Sequence, residues 1–319
     1  MSARVAVLVP CHNEAVAIPG VVAGFRAAVP QATIYVYDNN STDGTPEAAA
    51  AAGAVVRTER RQGKGNVVRR MFADIEADAY LLVDGDGTYD PAAAPDMVRV
   101  LLEERLDMVT AVRVTEAAGA YRPGHRLGNR VLTGMVRLVF GDGITDMLSG
   151  YRCFSRRFVK SFPALSEGFE TETEFTVHAL ELRLPVAEVR TPYAERPAGS
   201  ASKLRTYRDG WRILRTIVSL VQRERPLAFF GLTAGALLVL SAGLFAPVLA
   251  TYLTTGLVPR MPTFLASVAL LVLASLSLAC GLILHTVTRG RIEAKRIAYL
   301  SLPPPGEPIR PVPRGTDAP

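Results

Sequence analysis

Cysteine is scarce in this chain of 319 residues: Cys11, Cys153 and Cys280 stand far apart, without CxxC spacing, and only four histidines accompany them. That pattern excludes a disulfide framework and a Cys/His zinc site, and it reads as packing cysteines in a reducing compartment. Charge is also missing over long stretches. From Pro226 to Pro259 there is no Asp, Glu, Lys or Arg, and after Arg260 there is none from Met261 to Thr288. Each stretch exceeds the roughly 20 residues a helix needs to cross a bilayer, so two transmembrane helices are expected. The absence of Asp, Glu, Lys and Arg inside them removes the obvious ion path of a transporter. A GxxxxGK[ST] phosphate-binding loop is absent as well, which excludes a P-loop enzyme.

Basic residues frame the uncharged stretches. Arg223 and Arg225 precede the first, Arg289, Arg291, Lys295 and Arg296 follow the second, and Arg260 alone lies between. By the positive-inside rule both ends face the cytosol. The chain opens MSARVAVLVPCHNE, an apolar run too short for a signal peptide, so the part before Pro226 is expected to stay inside. The net charge of +6 is read as attraction to anionic lipid and phosphate ligands, with no nucleic acid partner. The expected organisation is a globular domain over 1–202, an amphipathic juxtamembrane helix over 203–225, two transmembrane helices over 226–288 and a basic, Pro-rich cytosolic tail over 289–319.

Within the globular part, Val5–Val9, Thr33–Asp38, Ala54–Thr58, Tyr80–Asp84 and Met108–Val112 are short apolar runs rich in β-branched residues, separated by helical or Ala-rich segments. This alternation predicts an α/β fold with a mostly parallel sheet. Ligands of such sheets bind at the carboxyl ends of the strands, where this chain carries PCHNE, DNNSTDGT and DGDGTYD. Before the first uncharged stretch, Leu204, Tyr207, Trp211, Leu214, Val218 and Val221 recur at helical spacing beside a stripe of Arg205, Arg208, Arg212 and Arg215. That is a basic amphipathic helix, which suits either the lipid interface or packing on the core.

The acidic turn Asp84-Gly85-Asp86 carries the sharpest chemistry. Two carboxylates one residue apart suit a hard divalent cation, Mg²⁺ or Mn²⁺, shared with phosphate oxygens, although the same residues also describe an ordinary Asp-Gly turn. Asp38 to Thr45 can offer a carboxylate to a base and ribose, or serve as an Asx turn and helix cap. Lys64, in the turn Gly63-Lys64-Gly65-Asn66, sets a cation near the same edge.

Taken in order, PCHNEA, YDNNSTDGT, QGKGN and VDGDGTYDP resemble the family 2 glycosyltransferases with a Rossmann-like GT-A fold. Downstream, Asp146-Met-Leu-Ser149-Gly150-Tyr151-Arg152 is similar to a D-x-x-S-G-[FY] segment of the polyprenyl-phosphate branch, which includes dolichol-phosphate mannose synthases. Arg196-Pro-Ala-Gly199-Ser-Ala-Ser202-Lys203-Leu204 is similar to that branch's R-x-x-G-x-S-K-L loop. The resemblance implies an inverting, metal-dependent transferase that moves one sugar from a nucleotide sugar to polyprenyl phosphate, at the inner membrane of a bacterium. It implies nucleotide-sugar contacts from Pro10, Asn13, Glu14, Asp38, Asn40, Lys64, Asp84 and Gly85, and a metal site at Asp84 and Asp86. Asp86, Asp146, Arg196 and Lys203 would serve the reacting centre, and Arg126, Arg130, Ser149, Arg152 and Ser202 the acceptor phosphate.

Two departures narrow the substrate. Gly87-Thr88-Tyr89 stands where mannose-transferring members carry a Leu-Gln-His-like run, which favours a UDP-sugar over GDP-mannose. The Q-x-x-R-W signature of processive synthases is missing, so one sugar per turnover is expected. GFETETEFTVHALELR resembles bacterial polyprenyl-phosphate galacturonate synthases, and an anionic sugar would need a cation such as Arg113 or Arg122. Glu172 and Glu174 are expected either on the acceptor side or as helix N-terminal charges. The rivals are a sugar nucleotidyltransferase, whose glycine-rich N-terminal loop is replaced here by PCHNE, and a non-enzymatic membrane scaffold or lipid-binding protein. Gly231, Gly235 and Gly243 leave a homo-oligomer open.

Overall fold

The computed structural model describes residues 3–114, 145–168, 170–194 and 224–305, with 134, 219 and 222 between them. The chain falls into two units, Met1–Thr206 with Lys295–Pro319, and Tyr207–Ala294.

The first unit is built on a seven-stranded sheet. Strands β1 (Val5–Cys11), β2 (Thr33–Asp38) and β3 (Val55–Thr58) alternate with helices α1 (Ile18–Ala28), α2 (Thr45–Ala51) and α3 (Lys64–Asp74). The sheet continues through β4 (Ala79–Leu82), helix α4 (Ala94–Glu103), β5 (Met108–Val114), β6 (Arg152–Ser155), helices α5 (Arg156–Ser161) and α6 (Thr171–Leu182), and β7 (Val186–Pro192). Strand order is β3-β2-β1-β4-β6-β5-β7, all neighbours running parallel except β6 against β4 and β5. Val7, Leu8, Val9, Val36 and Leu81 are fully enclosed because helices cover both faces, which is why these strands read as continuous apolar runs.

The order reverses between β1 and β4, and in sheets of this kind the crevice that takes ligands lies beyond the strands' carboxyl ends at that switch point. β6, being antiparallel, starts at the same edge: its Arg152 pairs with Leu82 and Thr110. The loop Asp146–Gly150 before it therefore joins the crevice. Neither β6 nor β7 is foreseen from the sequence, because β6 is only four residues long and begins with an arginine. The expected strand through Asp84 is shorter, with β4 ending at Leu82. One further bond, from the Val83 N–H to the Leu8 carbonyl, closes the ladder and frees the acidic turn for the crevice.

The second unit contains α7 (Pro226–Thr255) and most of α8 (Met261–Leu300), both long and apolar enough to cross a membrane. Most of each helix's apolar surface is exposed, unlike a soluble core helix. The helices are tied by Ser241 Oγ donating to the Ser267 carbonyl at 2.7 Å and Ser277 Oγ to the Phe230 carbonyl at 3.0 Å. Gly281 packs beneath Phe230, where a Cβ would sit 3.0 Å from the phenylalanine Cβ, while Gly231, Gly235 and Gly243 face open space. The amphipathic segment over 203–225 lies almost wholly outside the described residues, as does the chain from 306.

Candidate active site

Three loops at the sheet edge are stitched into one rim. Asn13 takes a left-handed conformation, φ 55°, which asparagine tolerates better than most residues. Its backbone N–H donates to Ser41 Oγ at 2.9 Å and its Oδ1 accepts from the Thr42 N–H at 2.8 Å. The next two backbone N–H groups, of Glu14 and Ala15, donate to Thr45 Oγ1 and Asp43 Oδ2. Asn39 reaches the other way: its amide donates to the Glu59 and Arg61 carbonyls at 2.8 Å and its Oδ1 accepts from the Gly63 N–H at 2.7 Å. Asn40 bonds the Arg60 carbonyl and Gln62. Asn13 and Asn40, expected to touch the nucleotide, thus have side-chain bonds that build the rim. Asp38, at the end of β2, is 4% exposed and accepts from the Ser41 N–H at 3.2 Å.

The acidic turn lies under this rim. Gly85 is required by contact, since a Cβ there would press on Cys11 Sγ. Gly150 lies against the Asp84 carboxylate, which would have to move to admit a Cβ there. The side chain of Asp84 is 31% exposed and its Oδ1 pairs with Lys64 Nζ at 2.5 Å. Asp86 is buried, and its Oδ1 accepts from Thr88 Oγ1 at 2.7 Å. Lys64 also pairs with Glu172, in the first turn of α6. Burial draws the lysine's pKa down, but the two carboxylates outweigh it and hold it above the ordinary value, so the side chain stays a cation. No group of three or more His, Cys, Asp or Glu side chains converges among the described residues. The Asp84–Asp86 turn fits a divalent cation of the kind completed by phosphate oxygens, and does not form an all-protein cage.

Asp146, in the loop before β6, is buried and held in the fork of Arg113 near the end of β5. Arg113 Nε and Nη2 donate to its two carboxylate oxygens at 2.7 Å each. Burial pushes the Asp146 pKa up, but the guanidinium outweighs it and leaves the carboxyl below its usual range. Arg113, read from sequence as a cation for an anionic sugar, also lies over the Tyr193 ring at 5.4 Å.

Ser149 and Arg152, expected at the acceptor phosphate, are enclosed. Ser149 Oγ donates to the Ala111 carbonyl at 2.6 Å, and Arg152, 0% exposed, donates to the Met147 and Ser149 carbonyls and to Thr176 Oγ1. Burial lowers the Arg152 pKa to about 10. The two residues fasten the loop that presents Asp146, with the Gly150 N–H donating to Tyr89 Oη at 2.8 Å. Arg126, Arg130, Arg196, Ser202 and Lys203, together with Arg122, lie outside the described residues. The sequence leaves Glu172 either on the acceptor side or as a helix N-terminal charge. Its pairing with Lys64, 108 positions earlier, left no local signal.

The Glycosyl transferase family 2 model matches residues 6–162. Glycosyltransferase AglJ of Haloferax volcanii is 36% identical over 229 residues, covering 71% of this chain and 75% of that protein. A dolichyl-phosphate hexose transferase of the same organism is 27% identical over 220 residues, covering 69% of this chain and 95% of that protein. Among solved structures, glucosyl-3-phosphoglycerate synthase of Mycobacterium tuberculosis, crystallised with Mn²⁺, UDP-glucose and phosphoglyceric acid, superposes with a TM-score of 0.56. It is 23% identical, covering 69% of this chain and 79% of that one, and the likeness extends to the GT-A-like fold alone. With the family model matching residues 6–162 and a glycosyltransferase relative 36% identical over 71% of the chain, this protein belongs to the family 2 glycosyltransferases.

Proposed function

We propose that the protein transfers one sugar, a hexose or hexuronate, from a UDP-sugar to polyprenyl phosphate with inversion, at the cytosolic face of a bacterial inner membrane. The product would be a lipid-linked sugar for later glycosylation of envelope glycans. The observation that carries the reading is the meeting of Asp84, Asp86 and Lys64 at the switch point, where a nucleoside diphosphate finds carboxylates for a cation and an ammonium for its own charge. The starts of α3 and α6 meet there too, and helix N-termini favour anions. A divalent cation at Asp84 and Asp86 supplies charge neutralisation for the departing diphosphate. Asp38 would hold the base, and Arg196 and Lys203 the diphosphate or acceptor phosphate. The lipid acceptor draws support from the dolichyl-phosphate hexose transferase relative and from two apolar helices.

A phosphate acceptor is already anionic near neutral pH, so positioning and charge neutralisation carry most of the rate. The test is nucleotide release by the full-length, detergent-solubilised protein with a panel of UDP- and GDP-sugars, with and without polyprenyl phosphate and Mn²⁺ or Mg²⁺. Release from a UDP-sugar that depends on the lipid acceptor is the expected result. Release that ignores the acceptor, or silence across the panel from folded protein, overturns the reading.

A further inference from the structure

Lys64 is held from two sides at the donor edge. Its side chain is 8% exposed and lies between Asp84, just beyond β4, and Glu172 of α6, whose side chain is 6% exposed. The lysine's backbone is confined as closely as its ammonium. Gly63 has φ 126°, a conformation that favours glycine. A Cβ on Gly63 would collide with the Glu167 carbonyl, and one on Gly65 with the Ser166 carbonyl. The segment leading into α6 therefore lies directly on the Gly-Lys-Gly turn, and the Gly65 N–H donates to the Glu167 carbonyl at 3.0 Å.

Glu174 is accounted for by the loop before α6: its two oxygens accept from the Leu165 and Ser166 N–H groups at 2.9 Å. Glu172 behaves differently. One oxygen takes Lys64, and Oε2 is buried without a hydrogen-bond partner among the described residues. A buried carboxylate oxygen without a partner is costly to folding and calls for an explanation beyond packing. Asp84 pairs with Lys64, and the proposed donor site also asks Asp84 to serve the nucleotide and its cation. One carboxylate cannot neutralise both at full strength.

We propose that Glu172 is a positioning residue of the donor site, keeping the Lys64 ammonium beside the diphosphate when Asp84 turns to the incoming nucleotide and cation. The inference rests on the donor reading above. A structural role would instead show in the melting temperature alone.

Isothermal titration of UDP and GDP, each with Mn²⁺, into the full-length solubilised wild type, E172Q, K64M and E172Q/K64M separates the possibilities. E172Q is expected to bind nucleotide on the order of tenfold more weakly, the size of one charge-assisted hydrogen bond. The double variant is expected to bind no more weakly than K64M, because Glu172 acts through the lysine. The sign is diagnostic: removing a carboxylate near an anionic ligand by itself tightens binding. E172D, which keeps the charge and shortens the reach, should fall between E172Q and wild type. If E172Q does not fold, E172D and E172D/K64M carry the same cycle. Unchanged or tighter binding by the Glu172 variant, or a loss undiminished in the K64M background, overturns this inference and leaves the donor reading standing. A wild type that binds neither nucleotide overturns both.

Discussion

Replacing Asp146 by Asn tests whether the residue acts as a proton acceptor or as the anchor of Arg113. The side chains of Arg113 and Asp146 are 13% and 7% exposed and share two N–H···O bonds of 2.7 Å. An amide in place of one carboxylate oxygen sets two donors face to face, so one charge-assisted bond is lost and the other weakened. Removing one partner of a buried pair costs about 3–5 kcal/mol, and an asparagine that keeps one bond belongs at the lower end, about 3 kcal/mol. For a unit of this size, with roughly 2–4 °C per kcal/mol, the melting midpoint should fall by about 6–12 °C. Differential scanning fluorimetry of the solubilised full-length protein reads that shift. Stability from this pair is present above the ordinary carboxylate range and is lost as the pH falls through the lowered folded-state pKa, so the deficit of D146N should shrink toward acid. Turnover below the midpoint should fall equally in D146N and R113A, with no further loss in the double variant. A wild-type midpoint in D146N, or losses that multiply, would refute the anchoring role.

Asp86→Ala should abolish transfer in protein that still folds; near-normal, metal-stimulated turnover would remove Asp86 from the metal site. His178 is held neutral by burial and by Lys295, its pKa lowered to about 3. With an unfolded value of about 6.5, stability is complete above that pH and falls on acidification by about 1.4 kcal/mol per pH unit. His178→Gln should flatten this slope between about pH 7 and 5, measured by urea unfolding, and an unchanged slope would contradict it. At the C-terminal end of α8, Tyr299 Oη donates to the fully buried Asp107 at 2.8 Å and Lys295 Nζ pairs at 2.6 Å with Glu181, whose side chain is 2% exposed. Tyr299→Phe should therefore cost about 1 kcal/mol and Lys295→Met about 3 kcal/mol, and a midpoint insensitive to both would mean these contacts contribute nothing.

What was legible in the sequence is what repeats locally. The apolar runs ending in PCHNE, DNNSTDGT and DGDGTYD marked strands and the ligand edge, because a buried parallel strand has no polar face to alternate with. The two apolar helices were legible from the length of their charge-free stretches. What escaped is what depends on distant partners. Arg152 is expected at the acceptor phosphate, yet it is buried, and one of its three oxygen acceptors, Thr176 Oγ1, comes from a helix 24 positions on. Asp146 is expected at the reacting centre, but its pairing with Arg113, 33 positions earlier, leaves no local trace in the sequence. Glu172 and Glu174 look alike in sequence, but only the structure sends one to Lys64 and the other to backbone N–H groups.

The engagement of Asp146 bears on the acceptor's chemistry. A general base needs an oxygen within reach of the proton it takes and a pKa near the working pH. Both Asp146 oxygens are held by a guanidinium, and its pKa is displaced downward, away from neutrality. A sugar hydroxyl acceptor would need such a base, whereas a phosphate monoester would not, since its second ionisation lies near about pH 6. For the proposed reaction, the acid limb of the rate profile should follow the lipid phosphate itself, with half-maximal rate near about pH 6. D146N should lower the plateau and leave that limb in place. If the limb shifts in D146N while the protein remains folded, Asp146 accepts the proton, and the acceptor must be sought among alcohols.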